Sequence, residues 1–142
     1  MPDDVRQAVL DCGRRARQAA RELVRATTAQ KNAALEAIAI ALEGARRPID
    51  TANAEDVAAA KASGLTPAMV DRLTLTEKRF AAMVQGVRDV ATLADPVGEI
   101  LREWTRPNGL RLAKRRFPIG VVGLIHESRP NVTFDAPDLF PR

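Results

Sequence analysis

The run Phe117-Pro118-Ile119-Gly120-Val121-Val122-Gly123-Leu124-Ile125 passes straight into the polar stretch His126-Glu127-Ser128-Arg129-Pro130-Asn131-Val132-Thr133. Apolar residues continue from Ile119 to Ile125, broken only by glycines, without alternation of polar and apolar positions. That pattern suits a strand covered on both faces, as in a parallel sheet. A parallel strand cannot stand alone, yet Arg142 closes the chain soon afterwards. The sequence therefore reads as the opening of a larger α/β protein, cut as its central sheet begins.

The residues before this run predict a helical block. Val5, Val9, Cys12, Ala16, Ala19 and Leu23 recur at spacings of three and four, so residues 5–26 read as an amphipathic helix with Cys12 on its apolar face. Thr27 with Gln30 has capping-box spacing and opens a second helix, with Leu35, Ile38, Ala39 and Leu42 as its buried stripe. Arg46, Arg47 and Pro48 are expected to close it, the cations favouring the negative end of the helix dipole. A short helix around 54–62 stops at Gly64. Thr66-Pro67 restarts a helix carrying Met69, Val70 and Leu73. Thr76 caps another, with Phe80, Met83, Val84, Val87 and Val90 along one side, and Asp95-Pro96 breaks it.

After Gly98 the character changes. Ile100–Thr105 and Leu110–Arg116 are strand candidates joined through Pro107-Asn108-Gly109, and Asn-Gly is the favoured pair for a tight hairpin. Leu110, Leu112 and Lys114 face one side of the second arm; Arg111, Ala113 and Arg115 face the other.

Composition limits the function classes. A hydrophobic fraction of 46% in 142 residues permits a core of ordinary size. No apolar run is long enough for a membrane span. The start, Met1-Pro2-Asp3-Asp4, is acidic and does not resemble a secretion signal. The single cysteine cannot form an internal disulfide, which fits a reducing cytoplasm. The net charge of +4 reads as a small excess spread along the chain, with one cluster at Lys114-Arg115-Arg116. It suits either a solvated surface or an anion site, and a nucleic-acid partner is not expected.

Few residues invite chemistry. Cys12 reads as a small buried hydrophobe and not as an activated thiol. His126 is the only histidine, and no paired-ligand spacing supports a metal. Gly120-x-x-Gly123 lies within the apolar run instead of after it, which suits close packing of a helix better than a dinucleotide turn. The loop 127–133 packs acid, hydroxyl, guanidinium and carboxamide groups at the end of the expected strand, where ligand sites of α/β sheets cluster. Asn131 could donate a hydrogen bond to a developing oxyanion and Arg129 could clamp a carboxylate or phosphate. Equally, the loop could be a polar turn in which Asn131 or Thr133 caps the next helix.

Pro118-Ile119-Gly120-Val121-Val122-Gly123 followed by Glu127-Ser128-Arg129-Pro130-Asn131-Val132-Thr133 resembles γ-glutamyl phosphate reductase, a family of the aldehyde dehydrogenase superfamily. Lys31-Asn32, Ala52-Asn53 before Asp56, Asp71-Arg72-Leu73-Thr74, Asp95-Pro96-Val97-Gly98 and Trp104-Thr105-Arg106-Pro107-Asn108-Gly109-Leu110 extend the resemblance upstream, to cover the chain as far as about Ala136. The resemblance implies NADPH-dependent reduction of L-glutamate 5-phosphate to glutamate 5-semialdehyde and phosphate, in proline biosynthesis in the cytoplasm. It implies that 1–98 is the helical part of a Rossmann-like NADP(H)-binding domain. Residues 99–117 become the hairpin of an oligomerisation element, 118–136 the first sheet strand with its active-site loop, and 137–142 an aberrant tail. Asn131 aligns with the oxyanion-stabilising asparagine, Ser128 and Arg129 approach the substrate, and Ile125, His126, Glu127 and Ser128 line the nicotinamide pocket. A homo-oligomer formed through the hairpin is implied as well.

Two departures qualify the resemblance. The family attacks its acyl phosphate with a cysteine far downstream of this loop, and Cys12 does not match it. After Asp135-Ala136 the family continues as an apolar helix, whereas this chain reads Pro137-Asp138-Leu139-Phe140-Pro141-Arg142. The expectation is a truncated reductase, inactive alone. The alternative is a non-catalytic fragment or assembly module that pairs with a full-length reductase.

Overall fold

A computed structural model describes residues 3–125 together with Pro130. Among these residues the chain forms α1 (Asp3–Leu23), α2 (Thr28–Gly44), α3 (Arg46–Ala62), α4 (Pro67–Leu73) and α5 (Glu77–Thr92), then β1 (Ile100–Thr105) and β2 (Arg111–Arg115). It is mostly helical, with one small two-stranded antiparallel sheet. Its described residues divide into two units. One holds α1 and the hairpin; the other holds α2 to α5.

In the α2–α5 unit the core is a seam between two helices. Leu35, Ala39 and Leu42 of α2 pack with Phe80, Met83, Val84 and Val87 of α5, and Ile49, Leu75, Val90 and Ala91 flank them. The buried positions recur at spacings of three and four on both helices, so each contributes one stripe. Ile38 was expected in this stripe but is 39% exposed. It lies one position before Ala39, and about 100° of helix rotation carries it off the seam. Arg88 on α5 ties the rim of the seam to α2. Its guanidinium donates to both carboxylate oxygens of Glu43 (2.8 and 2.9 Å) and to Glu36 (3.3 Å).

Arg46, Arg47 and Pro48 do not close α2. They open α3, which is longer than the expected stretch around 54–62 and begins at Arg46. Proline is tolerated there because a first-turn N–H has no intrahelical acceptor to lose. Arg46 pairs with Asp50 one turn on (2.7 Å) and lays its guanidinium over the Phe80 ring, 4.4 Å from the centroid. Downstream the capping signals hold. Gly64 takes φ +79 after α3. Thr66 and Thr76 accept the backbone N–H groups of Met69 (3.4 Å) and Arg79 (3.2 Å) as N-caps of α4 and α5.

In the other unit α1 forms over the expected span, but its apolar positions are not buried. Val5, Val9 and Leu23 are exposed, and so is Cys12, contrary to its reading as a buried hydrophobe. Periodicity fixes which residues share a face; burial also requires a second surface against it.

The hairpin pairs Thr105 with Arg111, Trp104 with Leu112, Glu103 with Ala113 and Arg102 with Lys114; an irregularity before Arg102 leaves Leu101 outside the register. The turn differs from an Asn-Gly centre. The Gly109 N–H donates to the Arg106 carbonyl (2.9 Å), which puts Pro107 and Asn108 at the centre and Gly109, at φ +82, after them. Proline presets the backbone for the first central position, and a left-handed glycine completes a three-residue loop. Asn108 Oδ1 accepts the Leu110 N–H (3.2 Å), which braces the turn.

The apolar run behaves otherwise than its pattern predicts. Residues 116–125 carry no helix or strand, and Ile119 is 92% exposed. No parallel ladder forms among the described residues, so the expected first strand of a Rossmann sheet is not observed. A strand of this composition depends on neighbours on both edges and cover on both faces, and this segment has neither. The charge excess is also not spread along the chain. Six of the 22 basic and two of the 18 acidic side chains lie between Glu99 and Arg116, so the hairpin region holds the whole formal +4 and the remainder sums to zero.

Two outcomes check this account. Leu35→Ala should lower unfolding free energy by about 2–5 kcal/mol, and Ile38→Ala by less than about 1 kcal/mol, in urea titrations. The hydrogen bonds from Arg88, and its charge, hold the Glu43 carboxyl below its ordinary value. A depressed carboxyl stabilises the fold above its unfolded pKa, and that stability is lost as pH falls through the folded value. Arg88→Met should therefore flatten the decline of thermal stability on acidification below the ordinary glutamate range.

Candidate functional site

Of the residues expected to bind or react, Ile125 alone lies within the described residues. It is fully exposed, in a segment without regular structure. His126, Glu127, Ser128, Arg129 and Asn131 lie outside the described residues. Gly120 takes φ +95, and a Cβ at Gly120 or Gly123 would meet nothing within 4 Å. Neither glycine is thus held against a helix, contrary to the packing role read from the pattern. A pyrophosphate-binding turn needs glycines at the N-terminus of a helix that follows a strand. The described residues supply no such arrangement and do not fit a nicotinamide nucleotide by themselves, so no step is derived through one. Among them no group of three or more His, Cys, Asp or Glu is placed to hold a metal, and no helix is long and apolar enough to cross a membrane.

The structure does bring together other residues that carried the resemblance. Asn53 of α3 reaches the loop after α4. Its Nδ2 donates to the Leu73 carbonyl (2.9 Å), and its Oδ1 accepts the Leu75 N–H (2.8 Å). Both bonds reach across about 20 residues of sequence to backbone that no helix satisfies. Arg79 of α5 grips the same loop. It donates to the Asp71 carbonyl, to the Thr74 carbonyl (2.8 Å) and to Asp71 Oδ2 (2.8 Å). Asn53 and Asp71-Arg72-Leu73-Thr74 are therefore one structural clamp that sets α4 between α3 and α5. Arg79 belongs to the clamp and carried no sequence signal of its own.

Asp95-Pro96-Val97-Gly98 is likewise a backbone device. Asp95 Oδ1 accepts the Val97 N–H (3.0 Å), Gly98 turns at φ +86, and its N–H donates to the Arg116 carbonyl (3.0 Å). The Arg116 N–H returns to the Glu99 carbonyl (3.0 Å), and the two side chains pair at 2.7 Å. The motif starts the ladder that β1 and β2 continue.

No family model matches the chain. Solved structures do. The γ-glutamyl phosphate reductase of Thermotoga maritima is 43% identical and superposes with a TM-score of 0.88 over 92% of this chain. The chain belongs to the γ-glutamyl phosphate reductase family. The γ-glutamyl phosphate reductase of Saccharomyces cerevisiae is 35% identical, with a TM-score of 0.82 over 87% of this chain. In both cases the chain spans only 31% of the relative's length. What is similar is thus the helical framework and hairpin of a reductase.

The clamp has a measurable consequence. Asn53→Ala leaves one backbone acceptor and one donor of the partly buried loop unpaired, and should cost about 2–4 kcal/mol by chemical denaturation. Asn53→Asp keeps the acceptor for Leu75 but loses the donor, and should fall between the two.

Proposed function

We propose that this chain contributes to an NADP(H)-dependent reduction of L-glutamate 5-phosphate to L-glutamate 5-semialdehyde and phosphate, in proline biosynthesis in the cytoplasm. The supporting observation is the 43% identity to a γ-glutamyl phosphate reductase at a TM-score of 0.88. In this reading residues 1–98 belong to the cofactor domain, 99–117 to an oligomerisation hairpin and 118–136 to the active-site region, with 137–142 as a divergent tail. Asn131 donates to the oxyanion formed when a thiolate attacks the acyl phosphate, which removes part of the cost of developing charge. Ser128 and Arg129 approach the substrate, Arg129 as a fork for an anionic group. Ile125, His126, Glu127 and Ser128 line the nicotinamide. A bound nicotinamide supplies hydride; the chain's own residues orient the acyl group towards it.

The sequence contains one thiol, Cys12. It lies exposed within α1 and does not match the family's nucleophile. We therefore infer that the 142 residues alone support no acyl transfer. Incubating them with glutamate 5-semialdehyde, phosphate and NADP should produce no NADPH. Sustained NADPH formation that disappears in Asn131→Ala would overturn the inactivity while supporting the site.

A second reading is an assembly module that pairs with a full-length reductase, and the exposure of β1 along its whole length favours it. Co-expression with a tagged full-length reductase should then recover a mixed complex by affinity capture and gel filtration. Recovery of the reductase alone would count against it.

A further inference from the structure

The hairpin is a short ribbon that carries the chain's entire net charge. Cross-strand pairing puts Arg102 directly opposite Lys114 and Trp104 opposite Leu112. Alternation along each strand then sets these four side chains on one face. Like charges directly opposite each other destabilise a ladder. No acidic side chain among the described residues offsets this pair: Glu103 points to the other face, and Glu99 is engaged by Arg116. Trp104 is 37% exposed, and the Arg102 guanidinium lies over it at 5.2 Å. Two cations and an aromatic therefore share a solvent-facing patch whose electrostatics are incomplete within this fold.

We propose that this face of the hairpin docks onto an acidic, extended segment of another polypeptide, with carboxylates meeting Arg102 and Lys114 beside Trp104. The proposal deepens the assembly reading and rests on it, by assigning the partner's chemistry. A second copy of the described helices is a poor electrostatic match, because the chain outside the hairpin region has no net charge. A polynucleotide fits less well than a peptide. Stacking platforms for bases use successive aromatics, whereas this ribbon carries one, already covered by Arg102. Glu99 and Glu103 also interrupt the positive field. A two-stranded ribbon, by contrast, has an edge on each strand, so an extended peptide can add main-chain hydrogen bonds while its carboxylates fix the register.

Trp104 is the only tryptophan, so its emission reports on this face alone. The test titrates the full 142-residue chain with a polyglutamate peptide of about 20 residues, a typical interface contribution, at low and at physiological salt. Trp104 emission should shift saturably, and less so at higher salt. Arg102→Glu with Lys114→Glu should weaken binding by about tenfold or more, read by anisotropy of labelled peptide because Arg102 itself touches the reporter. Lys114→Glu alone should weaken it by a smaller factor. Arg47→Glu with Lys78→Glu makes the same change of charge on the helices and should shift affinity less than about twofold. Equal losses in the two double variants would overturn the proposal in favour of bulk charge, as would the absence of a saturable shift. Tighter binding of a single-stranded oligonucleotide of equal charge would overturn it in favour of nucleic acid. Capture by a full-length reductase reports separately on assembly: capture that survives Arg102→Glu with Lys114→Glu would keep the assembly reading and sink this one.

Discussion

The helical fold rests on one dry seam. Leu35, Ala39 and Leu42 meet Phe80, Met83, Val84 and Val87 across α2 and α5, helices separated by more than thirty residues of sequence. Burying these side chains offsets the entropy of ordering the chain between them. The rest of this unit is arranged around that contact. Arg88 closes its rim, Arg46 covers one edge through Phe80, and Asn53 and Arg79 hang the α4 loop from helices on either side. The seam is apolar and adaptable. The polar clamps are directional, and they decide which of several possible packings is adopted.

Much of this was legible in the sequence because the signals are local. Thr66-Pro67 and Thr76 announce helix starts through a side-chain oxygen placed three residues before an unpaired N–H, and the structure uses both. Phe80, Met83, Val84 and Val87 repeat with helical period and are buried together. The hairpin followed from strand-like arms around Pro107-Asn108-Gly109. Errors arose where one local rule had two uses. Arg46-Arg47-Pro48 satisfies a C-terminal pattern by charge and an N-terminal pattern by proline, and the proline prevailed because its missing N–H is harmless only near a helix start. Ile38 fits an apolar stripe by type, but its angular position lies off the seam.

What lay beyond reach was tertiary. Nothing local distinguishes α1, whose apolar face is exposed, from α2, whose face is buried. The segment Ile119–Ile125 has a composition that suits the interior of a sheet, yet composition cannot supply neighbouring strands. The family motifs offer a related lesson. Asn53, Asp71-Arg72-Leu73-Thr74 and Asp95-Pro96-Val97-Gly98 look like signatures of function. In the structure they satisfy loop backbone and set turns, so a recognisable sequence can mark a scaffold as readily as a site.

Arg46 occupies a place where two jobs converge. As the first residue of α3 it fixes that helix through Asp50, and as a plane over Phe80 it rests on α5. Any rocking of the aromatic ring is thereby felt at the root of a neighbouring helix, through a joint that conveys rotation without a covalent bond. Lysine would preserve the positive charge there but not the flat surface that makes the joint stiff. The orientation of α3 is accordingly geared to the ring of α5, and a change in one helix is passed to the other as torque.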